Sequence, residues 1–240
     1  MLTRSKADPA PELRRFLAAA AVVATLLGEG TGTADAQVVM IAPSPAFDLG
    51  PLEDQLEIVE LEREILAFDP WTGAALAVGL GREEVVRWRG VRGRVGLVVT
   101  DRRLLATVPG AARWTERELG VSESLPQRVL LGDRVALVVT DRRVLAFEGV
   151  SGNWNELDLR PREQVLEAGV GTNVAVAATR FRVFGVAALR GGPFEHELDV
   201  HDELVGLSVH AGFATVTTRR LLLTFRTPDA NWSETRLPVR

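Results

Sequence analysis

The sequence predicts an all-β fold, a five-bladed β-propeller with four antiparallel strands per blade, and three observations lead to it. One pattern returns about every 40 residues from residue 37 onward. Each copy divides into four short strand-like runs separated by turn residues. The roughly 200 residues after the first 36 hold five copies. A repeat of this length is one supersecondary unit that stacks on its neighbours to bury a core.

The clearest copies are Val95–Val108, with VGLVVTDRRLLATV, and Val135–Glu148, with VALVVTDRRVLAFE. Weaker copies run through Val174–Ala187 and Phe213–Arg226, and a degenerate one covers Glu57–Asp69. The threonine before the charged pair falls at Thr100, Thr140, Thr179 and Thr218, with Leu61 in the degenerate copy, so the steps are 39, 40, 39 and 39 residues. An aromatic follows each copy, at Trp114, Trp154 and Trp232, with Phe194 one residue late and Ala75 in the first copy. A glutamate and a leucine recur beyond each tryptophan: Glu116 and Leu119, Glu156 and Leu159, Glu234 and Leu237.

The fourth copy shows how one unit reads as strands. Gln164–Gly171 is apolar and β-branched, and Thr172-Asn173 marks a turn. Residues 173–179 and 182–188 form two more runs around a tight charged turn, and Gly191-Gly192-Pro193 precedes Phe194–Leu198. Middle strands of a blade bury both faces against neighbouring blades, so they are apolar throughout instead of alternating. The recurring tryptophan belongs on the outer strand, where diverging blades leave a gap that a large side chain fills.

Residues 1–36 read as a secretory signal segment, with residues 37–240 as the propeller domain. Arg4, Lys6, Arg14 and Arg15 precede a twelve-residue apolar run, Phe16–Leu27, which is shorter than the roughly twenty residues needed to span a bilayer. Ala34-Asp35-Ala36 supplies a small-residue cleavage site, so cleavage is expected after Ala36. An N-terminal anchor is the alternative. The export signal places the protein in the periplasm or outside a bacterial cell. Val38–Ile41 is a candidate to complete the first blade or to add a strand to the last.

Composition excludes several functions. No cysteine is present, which removes disulfides, thiolate metal sites, cysteine nucleophiles and a lipidation site. A net charge of −4 argues against a general nucleic-acid binder. No nucleotide loop, zincin motif or Gly-x-Ser-x-Gly is present, and no cofactor is implied. His196, His201 and His210 lie close in sequence with Asp199, Asp202 and Glu203, but strand alternation separates them, and surface histidines are expected instead of a metal site.

The candidate binding residues are arginines in the turns between second and third strands: Arg102 and Arg103, Arg142 and Arg143, Arg180 and Arg182, Arg219 and Arg220. These turns share one face of a propeller with the loops between blades, which carry Arg82, Glu83, Glu84, Glu123, Arg160, Arg162, Glu163, Asp199, Asp202 and Glu203. Two readings follow. In one, aspartates cap turn amides and arginines pair with a neighbouring blade's glutamate. In the other, the face docks an acidic protein, a polyanion or an anionic sugar, since arginine makes bidentate contacts to carboxylate and phosphate. Trp88, charged on both sides, reads first as a core residue, with a partly exposed stacking platform as the alternative that places it among the candidates; Trp71 also lies off the repeating aromatic position.

The stretch Ile65–Gly73, ILAFDPWTG, resembles the Ala-hydrophobic-Asp-x-x-Thr-Gly segment of PQQ-like propeller repeats, and Gly152-Asn153-Trp154 is similar to their strand ends. The 40-residue period is also that of WD-type repeats. The resemblance spans residues from about 50 to 240 and implies fold, not ligand: no quinone or calcium site is recognisable. The functional expectation is an exported, non-catalytic interaction module, an accessory subunit that binds another envelope or membrane-complex protein. A lectin-like carbohydrate site between blades is the alternative. A glycan-acting hydrolase, with two carboxylates facing each other across a central channel, is the third.

Overall fold

In the computed structural model, residues 53–238 are described, and all of their regular structure is β. Five antiparallel sheets follow one another along the chain. Blade 1 contains β1 (Glu57–Glu60), β2 (Glu64–Phe68) and β3 (Ala75–Gly79). Blade 2 contains β4 (Val86–Arg92), β5 (Val95–Thr100), β6 (Arg103–Thr107) and β7 (Thr115–Glu118). Blade 3 contains β8 (Arg128–Leu131), β9 (Val135–Val139), β10 (Arg143–Glu148) and β11 (Trp154–Asp158). Blade 4 contains β12 (Val165–Val170), β13 (Val174–Thr179), β14 (Arg182–Ala187) and β15 (Gly191–Glu197). Blade 5 contains β16 (Leu204–Val209), β17 (Phe213–Thr218), β18 (Leu221–Arg226) and β19 (Asn231–Arg236). Every blade is a simple meander in which sequential strands pair.

Four strands per blade therefore holds for blades 2 to 5, and blade 1 shows three among the described residues. β2 and β3 take the places of the third and fourth strands of the later blades, so the innermost strand is the one without a counterpart. The signal segment and the Val38–Ile41 strand lie outside the described residues.

The core is divided among joints between consecutive blades. Ile65, Ala67, Val98, Leu105 and Trp114 join blades 1 and 2. Val95, Leu97, Val99, Ala136, Val138 and Phe147 join blades 2 and 3. Val135, Leu137, Ala175 and Phe184 join blades 3 and 4, and Val174, Val176, Ala214, Val216 and Phe225 join blades 4 and 5. The alternation is regular: in β5, residues 95, 97 and 99 face the next blade while 98 faces the previous one. This explains why β5, β9 and β13 are buried at every position and apolar nearly throughout. β17 is different. Its buried and half-buried positions alternate, and its sequence alternates too, as FATVTT. Among the described residues no buried cluster, hydrogen bond or ion pair links blade 5 to blade 1.

Backbone hydrogen bonds tie each first hairpin turn to the next. Gln55 N–H donates to Gly93 O at 2.8 Å, Arg94 N–H to Asp133 O at 2.8 Å, Arg134 N–H to Thr172 O at 3.0 Å and Asn173 N–H to Ala211 O at 2.8 Å. Blades approach so closely here that a Cβ on Gly171 would sit 1.9 Å from His210 O. Only glycine fits that position.

The recurring tryptophans fill the outer gaps as expected, and they also hydrogen-bond. Trp114 Nε1–H donates to Leu76 O at 3.0 Å, and Trp232 Nε1–H to Phe194 O at 2.8 Å; each acceptor lies on the outermost strand of the preceding blade. Trp154 is equally buried and packs tilted against Phe147 with ring centroids 5.2 Å apart, but its indole N–H has no partner among the described residues. Truncating any of the three to alanine should cost about 3–5 kcal/mol. Replacement by phenylalanine separates them: Trp114→Phe and Trp232→Phe strand a carbonyl and should cost roughly 1–3 kcal/mol more than Trp154→Phe. Chemical denaturation of the three variants measures that difference.

Candidate interaction face

Turns between second and third strands, together with the loops between blades, lie at one end of the sheets. Each loop between blades is a tight turn closed by a carboxylate three residues on. Gly81 N–H donates to Glu84 Oε2 at 2.7 Å, Gly120 N–H to Glu123 Oε2 at 2.9 Å, Arg160 N–H to Glu163 Oε2 at 2.8 Å and Asp199 N–H to Asp202 Oδ2 at 3.2 Å. In two of the loops the residue before the carboxylate is left-handed, Glu83 at φ 65° and Arg162 at φ 67°. Such backbone is unfavourable for non-glycine residues, so the surrounding contacts must hold it.

Three of these carboxylates receive a bidentate arginine from the blade that follows. Arg182 Nε and Nη2 donate to Glu163 Oε1 at 2.9 Å and Oε2 at 2.8 Å, Nη2 also to Asp158 O at 2.6 Å, and Nη1 to Glu195 Oε2 at 2.8 Å. Arg103 repeats this with Glu84 at 2.8 and 2.9 Å, Gly79 O at 2.7 Å and Glu116 at 2.6 Å. Arg143 repeats it with Glu123 at 2.9 and 2.8 Å, and with Glu118 O and Glu156. Each guanidinium thus binds the loop, its own outer strand and the end of the preceding blade's outer strand together.

The repeated threonine completes the arrangement. Thr179 Oγ1–H lies 2.7 Å from Glu163 Oε1, and its oxygen accepts the Phe181 and Arg182 amides, both at 3.1 Å. Thr140 contacts Glu123 at 2.6 Å, and Thr100 accepts the Arg102 and Arg103 amides. The Arg182 and Glu163 side chains are 6% and 0% exposed. Burial pushes the Glu84, Glu123 and Glu163 carboxyls up, but the facing arginine, the turn amide and the threonine outweigh it and hold all three below the ordinary glutamate value. Hydrogen bonds to Glu84 and Glu163 raise the guanidinium pKa of Arg103 and Arg182.

The sequence-derived arginines therefore divide into two classes. Arg103, Arg143 and Arg182 are the clasps. Arg102, Arg142, Arg180, Arg219 and Arg220 are exposed. Arg142 Nη2 reaches Ser122 Oγ at 3.2 Å, Arg180 lies 4.9 Å from the Phe181 ring centroid, and Arg219 pairs with Glu203 across an exposed 2.9 Å contact. The aspartates cap as expected: Asp101 accepts the Val85 amide and Asp141 the Ser124 amide. Trp88 is half-buried against the core between blades 2 and 3. Gly90 makes room for it, since a Cβ there would lie 2.7 Å from the indole. Trp71, by contrast, is 73% exposed.

Sequence reasoning placed Glu84, Glu123 and Glu163 among surface loop charges. Their signal is a glutamate 16 or 17 residues before the threonine, an arginine three after it, and a second glutamate 13 beyond that. Blade 5 keeps Asp202, Thr218 and Glu234 on this spacing, but Leu221 replaces the arginine. Exposed apolar side chains on the same loops carry no repeating signal in the sequence: Val85, Val121, Leu125 and Val200, of which Val121 and Val200 are 111% and 88% exposed. Among the described residues no group of His, Asp and Glu that could hold a metal ion is formed, and no helix is long and apolar enough to cross a membrane. The Asp69-x-x-Thr72-Gly73 segment closes a turn, with Asp69 Oδ1 accepting the Trp71 and Thr72 amides at 2.9 and 3.2 Å and Gly73 at φ 72°.

No family model matches the sequence, and no curated protein matches it. Among solved structures, the chain is similar to Prp20p from Saccharomyces cerevisiae, at 10% identity over 71% of this chain and 56% of that one, TM-score 0.37. It is similar to HIRA(644–1017) at 12% identity over 78% and 57%, TM-score 0.36. It is similar to Hsv2 from Kluyveromyces lactis at 8% identity over 78% and 83%, TM-score 0.31. The chain spans little more than half of the first two.

The clasps set a pH dependence. Lowered folded-state pKa values mean that their stabilisation is fully present above the ordinary glutamate value of 4.5 and is lost as pH falls through the lower folded values. Urea unfolding measured from pH 7 downward should show stability falling in that acid window. Glu163→Gln removes the fully buried, bidentate counter-charge of Arg182 and leaves it only the partly exposed Glu195, so it should cost about 3 kcal/mol at pH 7. The same variant should flatten the acid slope by one glutamate's share.

Proposed function

We propose that this protein is a non-catalytic interaction module whose clasp-bearing face docks another protein. The observation that carries the reading is the pairing of exposed arginines with exposed apolar loop residues on that one face. Arg102, Arg142 and Arg180 are exposed in the turns between second and third strands, and Val85, Val121, Leu125 and Val200 are exposed in the loops between blades at the same end, with Arg142 reaching Ser122 beside Val121, while the carboxylates of those loops are occupied by the clasp arginines. Arginine and apolar contact are what the centre of a protein interface uses. The clasps fix the loops, so the face is pre-organised and binding orders little.

The N-terminal charged and apolar segment supports export, which makes the partner an envelope or membrane-complex protein of a bacterial cell. Prp20p binds Gsp1p and histones; the proposal for this chain extends only to a protein partner. Carbohydrate binding would use exposed aromatics. The repeating tryptophans are buried in the joints, and the exposed Trp71 lies at the other end of its sheet.

The test is affinity isolation from the native envelope with matched variants. Arg102→Glu/Arg142→Glu/Arg180→Glu should abolish capture of the specific partner without lowering the unfolding midpoint. Trp71→Ala and Leu189→Ser, away from this face, should leave capture intact. Loss with the second set and retention with the first overturns the reading and favours a ligand at the opposite end.

A further inference from the structure

Among the described residues the two ends of the blade series carry complementary uncovered surfaces, and we infer that they mate head-to-tail with a second copy of this chain. Every internal joint has the same form. A face built from residues such as 95, 97 and 99 of one blade meets a face built from residues such as 136 and 138 of the next. Blade 5 has the first kind of face left over, and blade 1 has the second.

On blade 5 the free face comprises Phe213, Thr215 and Thr217 of β17 with Leu222 and Thr224 of β18, since Thr215 pairs with Thr224 and Thr217 with Leu222. Alternate residues Ala214, Val216, Leu223 and Phe225 are buried against blade 4. On blade 1 the free face comprises Glu57 and Val59 of β1, Leu66 and Phe68 of β2, and Ala75 and Ala77 of β3, again in register. Ile65 and Ala67 are turned into the joint with blade 2. Phe68, Phe213 and Val59 are among the exposed large apolar residues, at 36%, 41% and 37%. β1 also has one edge unpaired among the described residues.

Charge selects the pairing. Residues 53–79 carry seven carboxylates and one arginine, of which Asp54, Glu60 and Asp69 are engaged by Gly93, Arg89 and their own turn, whereas residues 203–238 carry four arginines and three carboxylates, with Glu203 on Arg219 and Asp229 on Arg226. Two copies of the blade 1 end would repel, and so would two of the blade 5 end more weakly. Blade 5 against blade 1 is the attractive combination and the one that continues the existing joints. Threonine at positions where blades 2 to 4 place Leu, Val and Ala suits a face that is wet in the free chain and dry in the assembly. Such a contact is heterologous, so it propagates unless the rotation closes a ring.

Sedimentation of the full chain over a concentration series tests this. The wild-type protein should show mass above one chain that rises with concentration and falls with added salt. Phe68→Glu blocks the blade 1 end and Thr217→Glu the blade 5 end; both sites are on open faces, so each variant should unfold at the midpoint of a wild-type monomer. Each variant alone should run as one chain. An equimolar mixture should form a dimer and stop there, because one intact end of each kind remains. A wild-type chain that stays monomeric overturns the inference, the ends then being covered within one chain. So does self-association of either single variant, which would mean an isologous contact. Neither result bears on the docking face, whose arginines are at the ends of the strands and away from these surfaces.

Discussion

A guanidinium buried between two sheets is the interaction on which the rest of this structure depends. Arg182 is nearly inaccessible, and so is the carboxylate it holds. Desolvating such a pair costs several kcal/mol per ion, and the pair repays that only if the geometry is good and further hydrogen bonds serve the remaining donors and acceptors. Here four of the five guanidinium N–H groups and both carboxylate oxygens are engaged. Four directed contacts from one side chain reach the loop, the outer strand of its own blade and the last carbonyl of the preceding blade. Hydrophobic contact between blades is non-directional and would tolerate sliding. The clasp fixes angle and register at each joint where it occurs. Specificity of arrangement, more than net stability, is what a buried ion pair of this geometry supplies.

The joint between blades 4 and 5 shows what happens without it. Leu221 stands where the arginine would be, and the loop carboxylate shrinks to Asp202. The joint keeps the phenylalanine–tryptophan contact that blade 3 also has, Phe225 at 5.1 Å from Trp232, and adds Phe194 at 6.0 Å from Phe225, over Gly185, where a Cβ would strike the Phe225 ring at 2.8 Å. Shape complementarity replaces directed hydrogen bonds. Blade 1 departs at the other end, with Glu64 at the arginine position and Leu61 at the threonine. The clasp is therefore a property of internal blades, and among the described residues both terminal blades lack it along with one packed face.

How much of this could be read from the chain follows from which features repeat. The blade period, the paired middle strands and the tryptophans were legible because each recurs at one spacing with one residue type. The clasp was only half legible. Its arginine and threonine lie within a contiguous string, while Glu84, Glu123 and Glu163 lie 19 or 20 residues upstream in loops that vary around them. A charged residue in a loop reads as solvated until the fold brings a buried partner to it. Trp88 supports two readings for the opposite reason. Its flanking arginines suggested exposure, but strand alternation sends Arg87 and Arg89 outward while the indole turns into the joint beside Gly90.

The open ends were also written in the sequence, in the alternation of β17. A strand with neighbours on both faces shows no period of two; one with a single neighbour does. Phe-Ala-Thr-Val-Thr-Thr has that period, and VAVAAT, one blade earlier, does not in polarity. In repeat proteins, terminal units commonly carry a polar outer face that ends the stack. Blade 5 is intermediate between a cap and an internal unit. Its threonines are polar enough to face water, yet they are uncharged, β-branched and flanked by Phe213 and Leu222. A true cap would place charge at the centre of that face, as the gatekeepers of exposed sheets do. Charge is held instead to the periphery, at Arg219, Arg220 and Arg226, so the middle of the face can be desolvated at low cost while the rim discriminates between partners.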